Sequence, residues 1–281
     1  MGSQGPARAP ESARPDNFAD CRAPRVFPEG HRGEPVNQPL ADANTLFGFW
    51  PSRRADLSLS ALKQVLEQNQ VTFACTLSTV GIFYDFVEGN RRTLQACADN
   101  PSLLPVGTVD PRRHFGCAAE IAGAHARGLR MFSLFPETQG WSLGVSCFRE
   151  VAEALSHEGL PLMVECSAPG AATEVLRAAE GLDLPVILSG ADHGNLAEAM
   201  AVMRRRPRTY LETHALASAG GLEAVATEIG PDRLIFGSRS PVHYFSSAYL
   251  RLKYAGLDSQ ASAAARGGNL AALLGVGDAN H

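Results

Sequence analysis

The 281-residue chain is poor in aromatic residues, at 7%, and its one tight basic run is Arg204, Arg205 and Arg206. Nucleic acid is bound through clustered Lys and Arg. With a formal net charge of -4 and no basic block, nucleic acid is not an expected partner. No apolar run is long enough to span a bilayer, and no apolar stretch follows the N-terminal charges as a secretory signal requires. No membrane partner is therefore expected. The six cysteines, Cys21, Cys75, Cys97, Cys117, Cys147 and Cys166, are scattered without a C-x-x-C pair. They read as free thiols in a reducing compartment, and a cytoplasmic protein is expected. The chain also lacks a G-x-S-x-G elbow, a P-loop, and a G-x-G-x-x-G turn after a strand. Those absences disfavour serine hydrolases, nucleotide triphosphatases and dinucleotide enzymes, and no cofactor is expected.

What the chain does have is 45% hydrophobic residues, enough for one large core. Residues 1–40 are rich in Pro, Arg, Gly and Glu, with apolar residues too sparse for a helical or strand period, so they are expected to form a disordered or surface-wrapped arm. From residue 41 to 281, short apolar runs alternate with amphipathic stretches, the pattern of parallel strands joined by crossover helices. Strands are expected at 41–47, 71–77, 104–109, 129–134, 160–165, 185–189, 209–213 and 233–237. Helices are expected at 59–68, 91–99, 115–127, 145–157, 172–179, 196–205 and 222–229, then at 247–254 and 260–274. Eight such units close a (β/α)8 TIM barrel, with a doubly wound open sheet as the lesser alternative.

Barrel chemistry sits at the C-terminal ends of the strands. That rule places Asn44, Ser78, Asp110, Pro136, Glu137, Glu165, His193, His214 and residues 238–243 around one mouth. Glu165 ends an apolar strand, where a carboxyl group has a raised pKa unless a cation stands close. His193, beside Asp192 and Glu198, and His214, two residues after Glu212, suit proton transfer near neutral pH. Asp42 and Asn44 alternate with Ala43 and Thr45 and share the barrel interior or its upper layer. An amide at Asn44 can orient a substrate oxygen but cannot shuttle protons. Tyr84 and Glu137 lie in βα loops that line such pockets, and His243 shapes the mouth after the eighth strand.

The segment at 230–241, G-P-D-R-L-I-F-G-S-R-S-P, resembles the final-strand signature G-x-D-R-L-L-F-G-S-D-x-P of the amidohydrolase-related TIM-barrel family, the amidohydrolase 2 branch. The similarity extends to D-A-N-T-L-F-G at 42–48, L-P-V-G-T-V-D-P at 104–111, G-L-R-M-F at 128–132 and G-N-L-A-A-L-L-G at 268–275. It implies a metal-dependent-hydrolase-like barrel that hydrolyses a C–O or C–N bond or decarboxylates its substrate; such barrels often form homodimers. Metal-dependent members carry H-x-H on the first strand, a His after the fifth, a His after the sixth and an Asp at the eighth. Here those positions read Asn44 and Leu46, Glu165, Gly190 and Arg239, so the usual metal centre is not expected.

Three arrangements remain open. In one, Arg239 replaces the metal's positive charge and clamps an anionic group or stabilises an oxyanion. In another, Glu165 or Cys166 with His193, His214 and His243 forms a relocated metal site. In the third, Arg239 pairs with Glu165 or Asp42 and fills the old metal cavity, leaving a binding or scaffold protein. The first is the leading expectation: a metal-independent hydrolase for a small anionic organic substrate. Glu165, His193, His214 and Arg239 are its candidate catalytic residues, and Asp42, Asn44, Tyr84, Glu137 and His243 its candidate binding residues.

Overall fold

The computed structural model describes residues 1–2, 39–113 and 115–276. The arm expected over 1–40 falls almost wholly outside the described residues. Eight strands form the sheet: β1 Ala41–Phe47, β2 Phe73–Ser78, β3 Leu103–Gly107, β4 Met131–Leu134, β5 Leu162–Glu165, β6 Val186–Ser189, β7 Thr209–Glu212 and β8 Leu234–Ile235. All neighbouring pairs are parallel and follow sequence order. The sheet returns on itself, because Ala43 N donates to Phe236 O (2.9 Å), Arg239 N to Asn44 O (2.7 Å) and Leu46 N to Ser240 O (2.9 Å). The expected TIM barrel is the fold.

The helices are α1 Leu59–Gln68, α2 Val80–Phe83, α3 Phe86–Ala98, α4 Cys117–Ala126, α5 Pro136–Gln139, α6 Ser146–His157, α7 Ala171–Ala178, α8 Leu196–Arg205, α9 Gly221–Glu228, α10 Phe245–Lys253, α11 Ser259–Ala263 and α12 Asn269–Leu274. Local chemistry sets several starts. Ser58 accepts from Ala61 N ahead of α1, and Asp85 accepts from Glu88 N ahead of α3, each satisfying a donor that the first helical turn leaves unpaired. The helix expected over 260–274 is interrupted by a π-helical turn at Ala264–Gly268. There a Cβ on Gly267 would lie 2.7 Å from Pro39 O, so glycine lets this turn pack on the entry to β1.

The strands divide the core by alternation. Ala41, Ala43, Leu46, Cys75, Leu77, Val106, Met131, Met163, Ile187 and Ile235 share one buried cluster. Phe132, Leu134, Leu162, Val164, Val186, Leu188, Leu211 and Leu234 join the helices in the other, as expected of a barrel whose strands face side-chain layers on both sides. The pairing of β1 with β2 shifts register between Asp42 and Thr45. A bulge of this kind re-aims side chains, and here the Asn44 backbone N–H donates to Asp42 Oδ1 at 3.0 Å. Among the described residues, no helix is long and apolar enough to cross a membrane, and Cys75, Cys97, Cys117, Cys147 and Cys166 are free thiols.

Candidate functional site

Asn44 in the middle of β1, Ser189 at the end of β6 and His214 just after β7 converge on one buried carboxylate. Glu212 closes β7 and is 0% exposed. Its Oε2 accepts from Asn44 Nδ2 (3.1 Å), Ser189 Oγ (2.7 Å) and His214 Nδ1 (2.5 Å), and its Oε1 accepts from the His214 backbone N–H (2.6 Å). Burial alone would push its pKa up, but His214 and these hydrogen bonds outweigh it and hold Glu212 at about 2. An ionised carboxylate only accepts, so His214 Nδ1 carries the shared proton and Nε2 is left for chemistry. Room for the carboxylate comes from Gly237, where a Cβ would meet Glu212 Oε1 at 2.2 Å.

A second buried carboxyl, Asp42, accepts from the Ser238 backbone N–H and the Asn44 backbone N–H, each at 3.0 Å, and from Ser238 Oγ at 2.5 Å. Complete burial dominates those bonds, and with Glu212 nearby it lifts Asp42 to about 7. Asp42 ties β1 to the turn after β8.

Across the mouth, Arg239 Nη2 donates to Glu165 Oε1 at 2.8 Å, with side chains only 11% and 9% exposed. Thr138 holds the same carboxylate through its N–H (2.8 Å) and Oγ1 (2.9 Å). The Arg239 guanidinium also lies 5.5 Å from the centre of the Trp50 ring, a cation–π distance. Arg239 adopts a φ of 57°, a left-handed conformation uncommon for a side-chain-bearing residue. It is fixed there by the bond from its own N–H to Asn44 O and by the His243 N–H donating to Arg239 O at 3.0 Å. In the barrel interior, a void of about 10 Å³ is lined by Asn44, Leu46, Ser133 and Met163, among others.

Open space lies instead to one side, over the loops after β7 and β8. A cavity of about 350 Å³ is lined by Arg53, His214, Ser238, His243, Tyr244 and Arg251, among others. The His214 and His243 rings stand 5.5 Å apart. Burial, then the neighbouring His214, Arg239 and Arg53, lower His243 to about 4, so its imidazole is neutral at pH 7. Among the described residues, the Arg53 side chain forms neither ion pair nor hydrogen bond. The Arg251 guanidinium forms a single hydrogen bond, from Nη2 to His214 O, and its Nε is buried without a partner. Arg53 and Arg251 bring two guanidiniums to one cavity against a single buried carboxylate, Glu212, that acts on Arg251, a balance suited to an anion.

The candidates named from sequence thus fall into three groups. Asn44 and His214 meet at Glu212, His243 lines the cavity beside them, and Asp42 underpins the adjoining turn. Glu165 and Arg239 meet each other. His193, Glu137 and Tyr84 lie elsewhere. The His193 side chain is 84% exposed and lies 3.9 Å from Asp192, because Asp192 and Asn195 fold the loop on themselves: Asp192 N donates to Asn195 Oδ1 and Gly194 N to Asp192 Oδ1. Glu137 accepts from the Ser167 and Ala168 backbone N–H groups at 2.6 and 2.7 Å, bracing the loop after β5. Tyr84 is 63% exposed and rests against Phe49.

Ser189, Gly237, Arg53 and Arg251 carry parts of this arrangement that sequence reasoning missed. Ser189 was within reach, since it ends a strand. Arg53 and Arg251, in a loop and within a helix, give no local signal.

These donors do not fit a metal ion. Among the described residues, no group of three His, Cys, Asp or Glu side chains is arranged to hold one. Glu165 is occupied by a guanidinium, His193 faces away, and Asn44 spends its amide on Glu212 and Ser189.

The model of one protein family, described as amidohydrolase, matches residues 47–276. No curated protein matches the chain. Among solved structures, the 5-carboxyvanillate decarboxylase of Sphingomonas paucimobilis superposes with a TM-score of 0.67 at 18% identity, over 86% of this chain and 100% of its own. The 2,6-dihydroxybenzoate decarboxylase of Rhizobium gives 0.66 at 12% identity, over 85% and 99%. The 5-carboxyvanillate decarboxylase of Novosphingobium aromaticivorans, complexed with manganese, gives 0.67 at 14%, over 85% and 96%. At these identities the likeness shows the shared barrel.

Proposed function

Since the chain belongs to the amidohydrolase family, we propose that it is a hydrolase of a C–O or C–N bond in a small anionic organic substrate, working without a metal ion. The observation that carries this reading is the Glu212–His214 pair, at 2.5 Å, whose imidazole lines a cavity that also presents Arg53 and Arg251. A carboxylate-oriented imidazole is a general base with a fixed tautomer. His214 Nε2 takes a proton from water, and the water oxygen bonds to the substrate carbonyl carbon while the C=O π pair moves onto oxygen. The resulting oxyanion is offset by a guanidinium. Collapse of the intermediate breaks the C–O or C–N bond, and the imidazolium returns its proton to the leaving group.

In this reading the anion-binding role expected of Arg239 passes to Arg53 and Arg251, because Arg239 is neutralised by Glu165. Decarboxylation, the activity in the names of the similar structures, is the other chemistry open to the site. The buried Glu165–Arg239 bond, together with a barrel-interior void of about 10 Å³, favours a second reading, in which the barrel is a binding protein without turnover. A screen of small carboxylate-bearing esters, lactones and amides separates the two. Turnover that falls at least about 100-fold in His214→Ala, the scale of a lost general base, supports the hydrolase. Turnover indifferent to His214 contradicts the assigned base, and ligand binding without turnover leaves the binding protein.

A further inference from the structure

A second cavity, of about 380 Å³, adjoins the charged one and shares Arg251 with it. Its lining is of a different kind. Leu216 and Leu222, exposed 1% and 4%, form its floor, while Leu250 and Tyr254, exposed 46% and 76%, stand one helical turn apart at its edge. Of its polar lining residues, Glu223 already accepts from Gly256 N at 2.8 Å. Single exposed apolar side chains are ordinary on a protein surface. Here, though, they border a concave space with an apolar floor that continues from a cationic one, and covering them with a ligand removes that apolar surface from water.

We propose that this second cavity is the tail subsite of the same substrate, which makes the substrate class an amphiphilic acid. Its carboxylate lies between Arg53 and Arg251, and its alkyl or acyl chain runs past Arg251 over Leu216 and Leu222, beneath Leu250 and Tyr254. The assignment rests on the charged cavity being the anion site. Arg251 is the hinge of the arrangement, since its guanidinium faces the head group while its methylene stem continues the apolar wall.

The test is calorimetric binding of butanoate, hexanoate, octanoate and decanoate to the full chain, to Arg53→Gln and to Leu250→Glu. Burying a methylene is worth about 0.8 kcal/mol when complete, so wild-type affinity should rise about two- to fourfold per added methylene through octanoate. That slope should flatten in Leu250→Glu. Tyr254→Glu, at a more exposed position, serves if Leu250→Glu does not fold. Arg53-dependent binding of butanoate with no chain-length slope, or with a slope the variants leave unchanged, overturns the tail subsite and spares the anion site. Butanoate binding that is absent or indifferent to Arg53 overturns the anion site, and the tail subsite with it.

Discussion

Arg239 Nη2 lies 2.8 Å from Glu165 Oε1, joining the end of β5 to the turn after β8 across two intervening strands. The pair therefore bridges the barrel mouth, where a barrel enzyme ordinarily holds its substrate. Arg239 holds the facing acid in a bond whose two side chains are only 11% and 9% exposed. The open cavity is displaced towards the loops after β7 and β8.

Removing one member of this pair leaves a buried charge alone. Arg239→Met should cost about 3–5 kcal/mol in urea denaturation. The double variant with Glu165→Gln should recover most of that, because glutamine still accepts from Thr138 and both charges are gone. Additive losses in the two single variants would show that the pair is not coupled.

Asp42 makes stability depend on pH. Its pKa is raised from 3.8 to about 7 in the folded state, so the folded protein binds the extra proton and its stability falls as pH rises from about 4 to about 7. Glu212, lowered from 4.5 to about 2, acts in the opposite sense: its contribution is present above pH 4.5 and is lost as pH falls towards 2. Asp42→Asn, which keeps an acceptor for Ser238 and Asn44, should flatten the decline between pH 4.5 and 8, worth on the order of 3 kcal/mol. Denaturation midpoints at those two pH values measure it, and an undiminished decline in Asp42→Asn would assign it to another group.

Gly237→Ala should disturb the Glu212–His214 pair without touching either residue. The new Cβ meets Glu212 Oε1 at 2.2 Å, and overpacking of this kind costs about 1–3 kcal/mol. Both the thermal midpoint and any His214-dependent turnover should drop. A variant with unchanged turnover would mean that the carboxylate's position is unimportant.

His193→Ala should do nothing measurable. Its ring is 84% exposed and its nearest charge is 3.9 Å away, so stability should move by less than about 0.5 kcal/mol and turnover should be unchanged. Loss of turnover in this variant would place the site on the other side of the mouth.

The barrel was legible because its evidence is spread along the chain. The alternation of apolar runs marks every strand, and the boundaries of β1, α1 and α8 fall where the periodicity puts them. The short helices α2 and α5 were not legible, since four residues carry no period. At the site, Glu165, His214 and Arg239 were found because each ends a strand or follows one, and Asn44 from the alternation along β1. The sequence left the partner of Arg239 open between Glu165 and Asp42, and the bond is to Glu165; that Asn44, past the irregular register of β1, reaches Glu212 was not readable. His193 satisfied the same strand-end rule and failed to join them, because a tight Asp192–Asn195 turn exposes it.

Turnover of a carboxylate-bearing ester or lactone by chelator-treated protein distinguishes hydrolysis through His214 and Glu212 from metal-dependent chemistry. Turnover should survive chelation, should not be raised by added manganese or zinc, and should fall at least about 100-fold in His214→Ala. Turnover that is abolished by chelation and restored by either ion, with His214→Ala retaining it, would place the chemistry on a metal ion instead.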